Sequence, residues 1–160
     1  MSRDKPTVYL ETTIISYLAA WPSRDLVTAA HQQITHEWWN TRRNGYSLNV
    51  SEFVVGEAAG GDPDAASRRL VLVQAIPLLD VNEAVRNLAR GLTRSGSIPD
   101  RYATDAFHIA VAAVHRVDYL LSWNCRHIAN AGLWNAIAQV CGQHGCRMPN
   151  ICTPYELLGD

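Results

Sequence analysis

Short apolar runs alternate along this chain with longer segments whose apolar residues recur at helical spacing. "TVYLE" at 7–11 is β-branched and aromatic and reads as a first strand. Thr12 or Thr13 is placed to cap the helix "IISYLAAW" that follows. Pro22 and Ser23 break that helix. Ser23 then starts a second one, from about Arg24 to Arg43, in which Leu26, Ala30, Ile34 and Trp38 form the apolar stripe. Asn44 and Gly45 turn the chain into "YSLNV", the second strand. Ser51 caps a helix through about Ala59; Gly60 and Gly61 stop it, and Asp62 with Pro63 opens another. "AIPLLDV" predicts a third strand. "NEAVRNLARGLTRSG" predicts a helix in spite of Gly91, and "PDRYATDAFHIAVAAVHRV" the clearest helix, opening at Pro99 or Asp100. "DYLLSW" is the fourth strand. A loop, a helix from about Leu133 to Gln143, a weak fifth strand "NICT" and a short helix "PYELLG" complete the chain.

Strands alternating with helices predict a parallel sheet covered on both faces, hence a three-layer α/β/α domain. No repeat, linker or low-complexity segment divides the 160 residues, so residues 1–160 are expected to form one domain. Composition agrees: 48% of residues are hydrophobic and 18% charged, a globular balance. No apolar run approaches the ~20 residues of a membrane span, and "MSRDKPTVYL" lacks the apolar stretch of a signal peptide, so no membrane association and a cytoplasmic location are expected. Cys125, Cys141, Cys146 and Cys152 contain no C-x-x-C pair and read as free thiols. A net charge of -1 leaves no global basic footprint for nucleic acid, though local patches can still serve a small-footprint enzyme.

The acids carry more information. Ligand sites in open parallel sheets lie at the carboxyl ends of the strands. Glu11 stands at the end of strand one. Ser51 ends strand two, and Glu57 follows it on the next helix. Ser122, Trp123 and Asn124 end strand four, and Asp105 lies near the start of the helix that feeds that strand. Carboxylates gathered without matching Lys or Arg need a cation or protons to neutralise them. Hard cations such as Mg²⁺ and Mn²⁺ prefer oxygen ligands. A metal so held supports hydrolysis of a phosphodiester.

At these positions the chain resembles the PIN-domain family, and within it the toxin ribonucleases of VapBC-type toxin–antitoxin pairs. The resemblance rests on "VYLETT", on "VSEFVVGE", on "TDAFHIAVAA", and on "DYLLSWNCRHIAN" in place of a strand ending in a hydroxyl residue, a spacer and Asp. It implies a PIN-like fold and an Mg²⁺- or Mn²⁺-dependent endoribonuclease. It further implies an RNA substrate, a small antitoxin protein as partner and a homodimer. Metal ligation passes to Glu11, Glu57 and Asp105, with Asn124 at the fourth acidic position and Thr13 and Ser122 as hydroxyl supports. Glu11 and Asn124 both replace the family's usual Asp. The alternative is a PIN-like scaffold that binds RNA or a protein partner without efficient cleavage.

Several residues carry two readings. Asp105 is also suited to a helix N-terminus, paired with Arg101. Glu52 competes with Glu57, although its first-turn position is explained by the helix dipole alone. His108, one turn after Asp105, is either a packed or supporting side chain or a substrate contact. Arg126 and His127, just past the rim, either meet phosphate or are ordinary loop residues. Arg86, Arg90 and Arg94 fall on one helix face, commonly a solvated one. Trp39 lies off the apolar stripe of its helix, which predicts an exposed aromatic at an interface.

Overall fold

The computed structural model describes residues 4–159. Among them four strands and seven α-helices form: β1 Thr7–Leu10, α1 Thr12–Ala19, α2 Leu26–Thr41, β2 Ser47–Asn49, α3 Glu52–Ala58, α4 Pro63–Val73, α5 Glu83–Arg94, α6 Ala103–Val114, β3 Tyr119–Leu121, α7 Trp134–Gln143 and β4 Asn150–Cys152. Every strand pairing is parallel, in the order β2-β1-β3-β4. This is the α/β class with a central parallel sheet between helical layers. No described helix is long and apolar enough to cross a membrane.

Burial explains why β1 is central. Val8, Tyr9 and Leu10 are all fully buried, as are Leu120 and Leu121 on neighbouring β3. α6 packs beside them through small and branched residues, with Ala106, Ile109, Ala110, Val111 and Ala112 fully buried. α5 packs on both α6 and α7. Gly91 belongs to that contact: a Cβ there would lie 2.6 Å from His144 Cε1 and 3.3 Å from Val140 Cγ1. Close approach, rather than helix propensity, accounts for a glycine inside α5.

The structure departs from the sequence pattern in four places. First, "AIPLLDV" is not a strand. Only one parallel bridge forms, Val50 with Leu78, through Val50 N–H to Pro77 O and Leu79 N–H to Val50 O. Pro77 has no N–H to extend a ladder, and Leu78 is exposed. Second, neither Thr12 nor Thr13 caps α1. Glu11 occupies the cap position, yet its side chain makes no cap bond. Third, α2 begins at Leu26 because Asp25, not Ser23, caps it, accepting from the Thr28 N–H at 2.9 Å. Its buried face is Gln32, Thr35 and Trp38, whereas Leu26 is 85% exposed and Ala30 is exposed. The polar side chains of Gln32 and Thr35 are tolerable there because each is hydrogen-bonded, whereas the buried Trp38 indole N–H has no partner among the described residues. Gln32 receives the Ser23 N–H at 2.8 Å, and Thr35 Oγ1 receives the Trp123 indole N–H at 2.7 Å. Fourth, Trp39 is half-buried against the core, with the Arg43 guanidinium 4.7 Å from its ring centroid. The large exposed apolar residues near α2 are instead Trp21, Leu26 and Val27.

Candidate active site

The strand order reverses between β1 and β3. The connection from β1 leads outward to β2, and the connection from β3 leads outward to β4 on the other side. The carboxyl ends of these two strands therefore open a crevice of the kind in which parallel sheets receive ligands.

Glu11 leaves β1 directly into that crevice. Its N–H still donates to Leu121 O at the end of β3, 3.1 Å away, which fixes the backbone. Its Oε1 accepts from Thr13 Oγ1 and from Ser122 Oγ, each at 2.6 Å. Both hydroxyls are themselves held by backbone N–H groups: Trp123 N–H donates to Thr13 Oγ1 and Asn124 N–H to Ser122 Oγ, each at 2.9 Å. The backbone thus occupies the hydroxyls as acceptors, and their protons are free to point at the carboxylate. Thr13 and Ser122 stand where hydroxyl supports were expected.

Glu57 reaches the same crevice from α3, whose N-terminus Ser51 caps through the Phe53 N–H, as its sequence predicts. Its Oε1 accepts from Thr12 Oγ1 at 2.7 Å and lies 2.6 Å from His108 Nε2. Behind His108 a buried line of polar groups continues, from Nδ1 to the Tyr9 hydroxyl at 2.6 Å and on to Ser51 Oγ at 2.7 Å. Tyr9, Ser51 and His108 are all fully buried. This line was not visible in the sequence, although a tyrosine within an otherwise aliphatic buried strand needs a partner for its hydroxyl.

Electrostatics separate the two glutamates. Burial drives the Glu11 carboxyl above the ordinary value of 4.5, against the pull of His108 and of the Ser122 and Thr13 hydroxyls. For Glu57, burial also acts upward. The hydrogen bond and charge of His108, with the Thr12 hydroxyl, outweigh it and hold the carboxyl below its ordinary value. An ionised Glu57 only accepts hydrogen bonds, so His108 Nε2 carries a proton toward it. Burial likewise pushes the Tyr9 phenol up, so it remains a neutral link.

Ligand atoms of Glu11, Glu57 and His108 lie within 4.8 Å of one another. With its Nε2 proton directed at Glu57, the imidazole offers a cation no lone pair. The oxygens do. Oε2 of Glu11 and Oε2 of Glu57 bond to no protein group among the described residues. Two anchored carboxylates with open oxygens fit a hard divalent cation that keeps several waters. His108 serves to orient Glu57, which agrees with the packed, supporting reading; a fully buried ring does not meet substrate.

The other expected residues make different contacts. Asp105 is not part of the tight group. Its Oδ2 pairs with His127 Nδ1 at 2.9 Å, and its side chain is 14% exposed. His127 is buried between this carboxylate and the Tyr102 ring, 4.3 Å away, which removes it as a free phosphate contact. Arg126 is exposed, with its guanidinium 5.1 Å from the other partner of that cluster, Tyr102; Arg101 lies 5.0 Å from the same ring. Glu52 is exposed in the first turn of α3, in keeping with a dipole role. Asn124 turns inward as a cap. Its Oδ1 accepts from the His127 N–H at 3.2 Å, and its carbonyl accepts from Ile128 and Ala129.

That geometry makes a prediction for Asn124. Replacement by Ala removes an acceptor at a tight turn and should cost about 1 kcal/mol, or roughly 2–4 °C in melting temperature. Asn124→Asp keeps the acceptor and should melt close to the natural protein. Thermal unfolding of both variants by circular dichroism checks this; equal losses would show that the cap bond is not what matters.

No protein-family model matches the chain, and a comparison with curated proteins gives no match.

Proposed function

We propose that the chain is a PIN-like, Mg²⁺- or Mn²⁺-dependent endoribonuclease of the VapC toxin type. The observation that carries this reading is the pair Glu11 and Glu57, anchored at the crevice by hydroxyl and imidazole donors on one oxygen and open on the other. Bound there, a divalent ion supplies charge neutralisation at a phosphodiester and an acidified water. The chain's own residues do the rest. Thr13 and Ser122 hold Glu11 through Oε1 without a positive charge, which leaves Oε2 for a cation. His108, backed by Tyr9, holds Glu57 at a fixed angle. Arg101 and Arg126, both exposed beside Tyr102, pair with no carboxylate among the described residues and suit a polyanion. Trp21, Leu26 and Val27, exposed around the start of α2, favour a small protein partner such as an antitoxin.

A second reading draws on Asp105. Its bond to His127 and its place outside the tight group favour a scaffold that binds RNA or a protein partner and cleaves poorly. One assay separates them. Purified protein is incubated with a mixed single-stranded RNA and Mn²⁺, with a chelator control and with Glu57→Gln and Asp105→Asn variants. The nuclease reading expects metal-dependent cleavage, lost about a hundredfold in Glu57→Gln. Cleavage that survives the chelator or the Glu57 variant would overturn it. RNA retention without cleavage would favour the scaffold.

A further inference from the structure

At the amino edge of the sheet, opposite the acids, lies a second concavity of about 470 Å³. Its walls are the last turn of α6, the turn into β3, and the segment 145–150 leading into β4. Arg116 and Arg147 stand one in each of the latter two. Both are exposed, and neither pairs with a carboxylate among the described residues. The one acid in the wall, Asp118, has its Oδ2 engaged by the Thr7 N–H at 2.8 Å and the Thr7 hydroxyl at 3.1 Å. Backbone N–H groups of Arg147 and Met148 donate to no backbone acceptor among the described residues. Apolar side chains contribute a smaller part of the lining, with Val114 and Met148 half-buried at its surface and Val117 and Pro149 buried behind them.

Arg116 carries an independent sign. It is the only non-glycine residue among those described with a positive φ, at 55°. It closes α6: its N–H donates to Ala113 O at 3.2 Å, and the Val117 N–H to Ala112 O at 3.0 Å. Glycine suits this left-handed position best, because a Cβ is crowded there. An arginine at such a place gives up stability and sets a guanidinium beside the cavity. Two guanidiniums of this kind suit the oxygens of a phosphate group, which they can hold bidentately. The volume falls within the roughly 300–1,000 Å³ typical of small-molecule sites.

We propose that this cavity binds a small phosphate monoester of mononucleotide size, with Arg116 and Arg147 on the phosphate and Val114 and Met148 against the rest of the ligand. The site is separate from the acidic crevice and does not rest on the nuclease reading.

Calorimetric titration of AMP into the full chain, with a chelator present at neutral pH, tests it. Saturable binding is expected, weakened at least about tenfold by Arg116→Gly and by Arg147→Ala, each of which removes one charge-assisted contact. Arg116→Gly should also raise the melting temperature, which shows that its loss of binding is not a loss of fold. Adenosine should bind much more weakly than AMP, and Glu11→Gln should leave AMP affinity unchanged. No saturable binding at millimolar AMP would overturn the proposal. So would unchanged affinity in both arginine variants, or loss of binding in Glu11→Gln. Inorganic phosphate binding as tightly as AMP would overturn the assignment of Val114 and Met148 to the ligand.

Discussion

Glu11→Gln is expected to unfold at a higher temperature than the natural protein at pH 7 with a chelator present, while losing its response to Mn²⁺. Glu11 is 3% exposed, and burial holds its carboxyl above the ordinary 4.5. A group raised in this way contributes stability that is fully present below its unfolded value. That contribution is lost as pH rises through the folded value. At neutral pH the burial of this carboxyl group is therefore a standing cost. Glutamine keeps the Oε1 that accepts from Thr13 and Ser122 but carries no charge. A gain of about 1 kcal/mol, or roughly 2–4 °C, is expected. Saturating Mn²⁺ should reverse the order, because only the natural protein gains by mass action.

The pH dependence gives a second check. Glu57 works in the opposite sense, since its lowered value contributes stability above 4.5 that is lost as pH falls through its folded value. Comparing the two proteins removes this shared component and leaves the Glu11 contribution. The advantage of the variant should grow as pH rises above 4.5. Scanning calorimetry between pH 5 and 8 measures it. A variant no more stable than the natural protein in chelator would show that the carboxylate is not held against its own burial.

His108→Ala is expected to be the most damaging single change at the site. The ring is fully buried and ties Glu57 to Tyr9 on its two sides. Its removal opens a cavity and leaves the Tyr9 hydroxyl with Ser51 alone. Cavity and lost buried hydrogen bonds together should cost about 3 kcal/mol or more, which is roughly 6–12 °C. His108→Gln supplies a donor toward Glu57 but none of the contact with Tyr9, so its loss should be intermediate. Glu57 is also freed to move in both variants, and a displacement of about 1 Å can lower cleavage about a hundredfold. Urea unfolding paired with RNA cleavage at a temperature where both variants remain folded separates the two effects. An Ala variant as stable as the natural protein would show that the buried line of hydrogen bonds contributes little.

Local pattern carried most of the architecture. The β-branched run before Glu11, the cap at Ser51, the Asp62-Pro63 helix start and the small-residue helix α6 each follow from residue chemistry acting within a few positions. Where chemistry at longer range competes, the pattern misleads. Pro77 interrupts an apolar segment that otherwise looks like a strand. The buried face of α2 is polar because Ser23 and Trp123, remote along the chain or across it, satisfy Gln32 and Thr35.

The site divides in the same way. By itself the sequence placed Glu11, Glu57, Asp105, Ser122 and Asn124 toward the carboxyl edge of a parallel sheet, because a strand's end and the helix beside it are local facts. Which of those groups bond to one another was decided by the tertiary structure. Strand order places β3 beside β1 and so brings Ser122 to Glu11. The packing of α6 turns His108 toward Glu57, while Asp105, one turn earlier on that helix, meets His127 instead. Hydrogen bonds between side chains 22 to 111 residues apart set these partnerships. Such pairings depend on how the layers close, and no spacing along the chain encodes them.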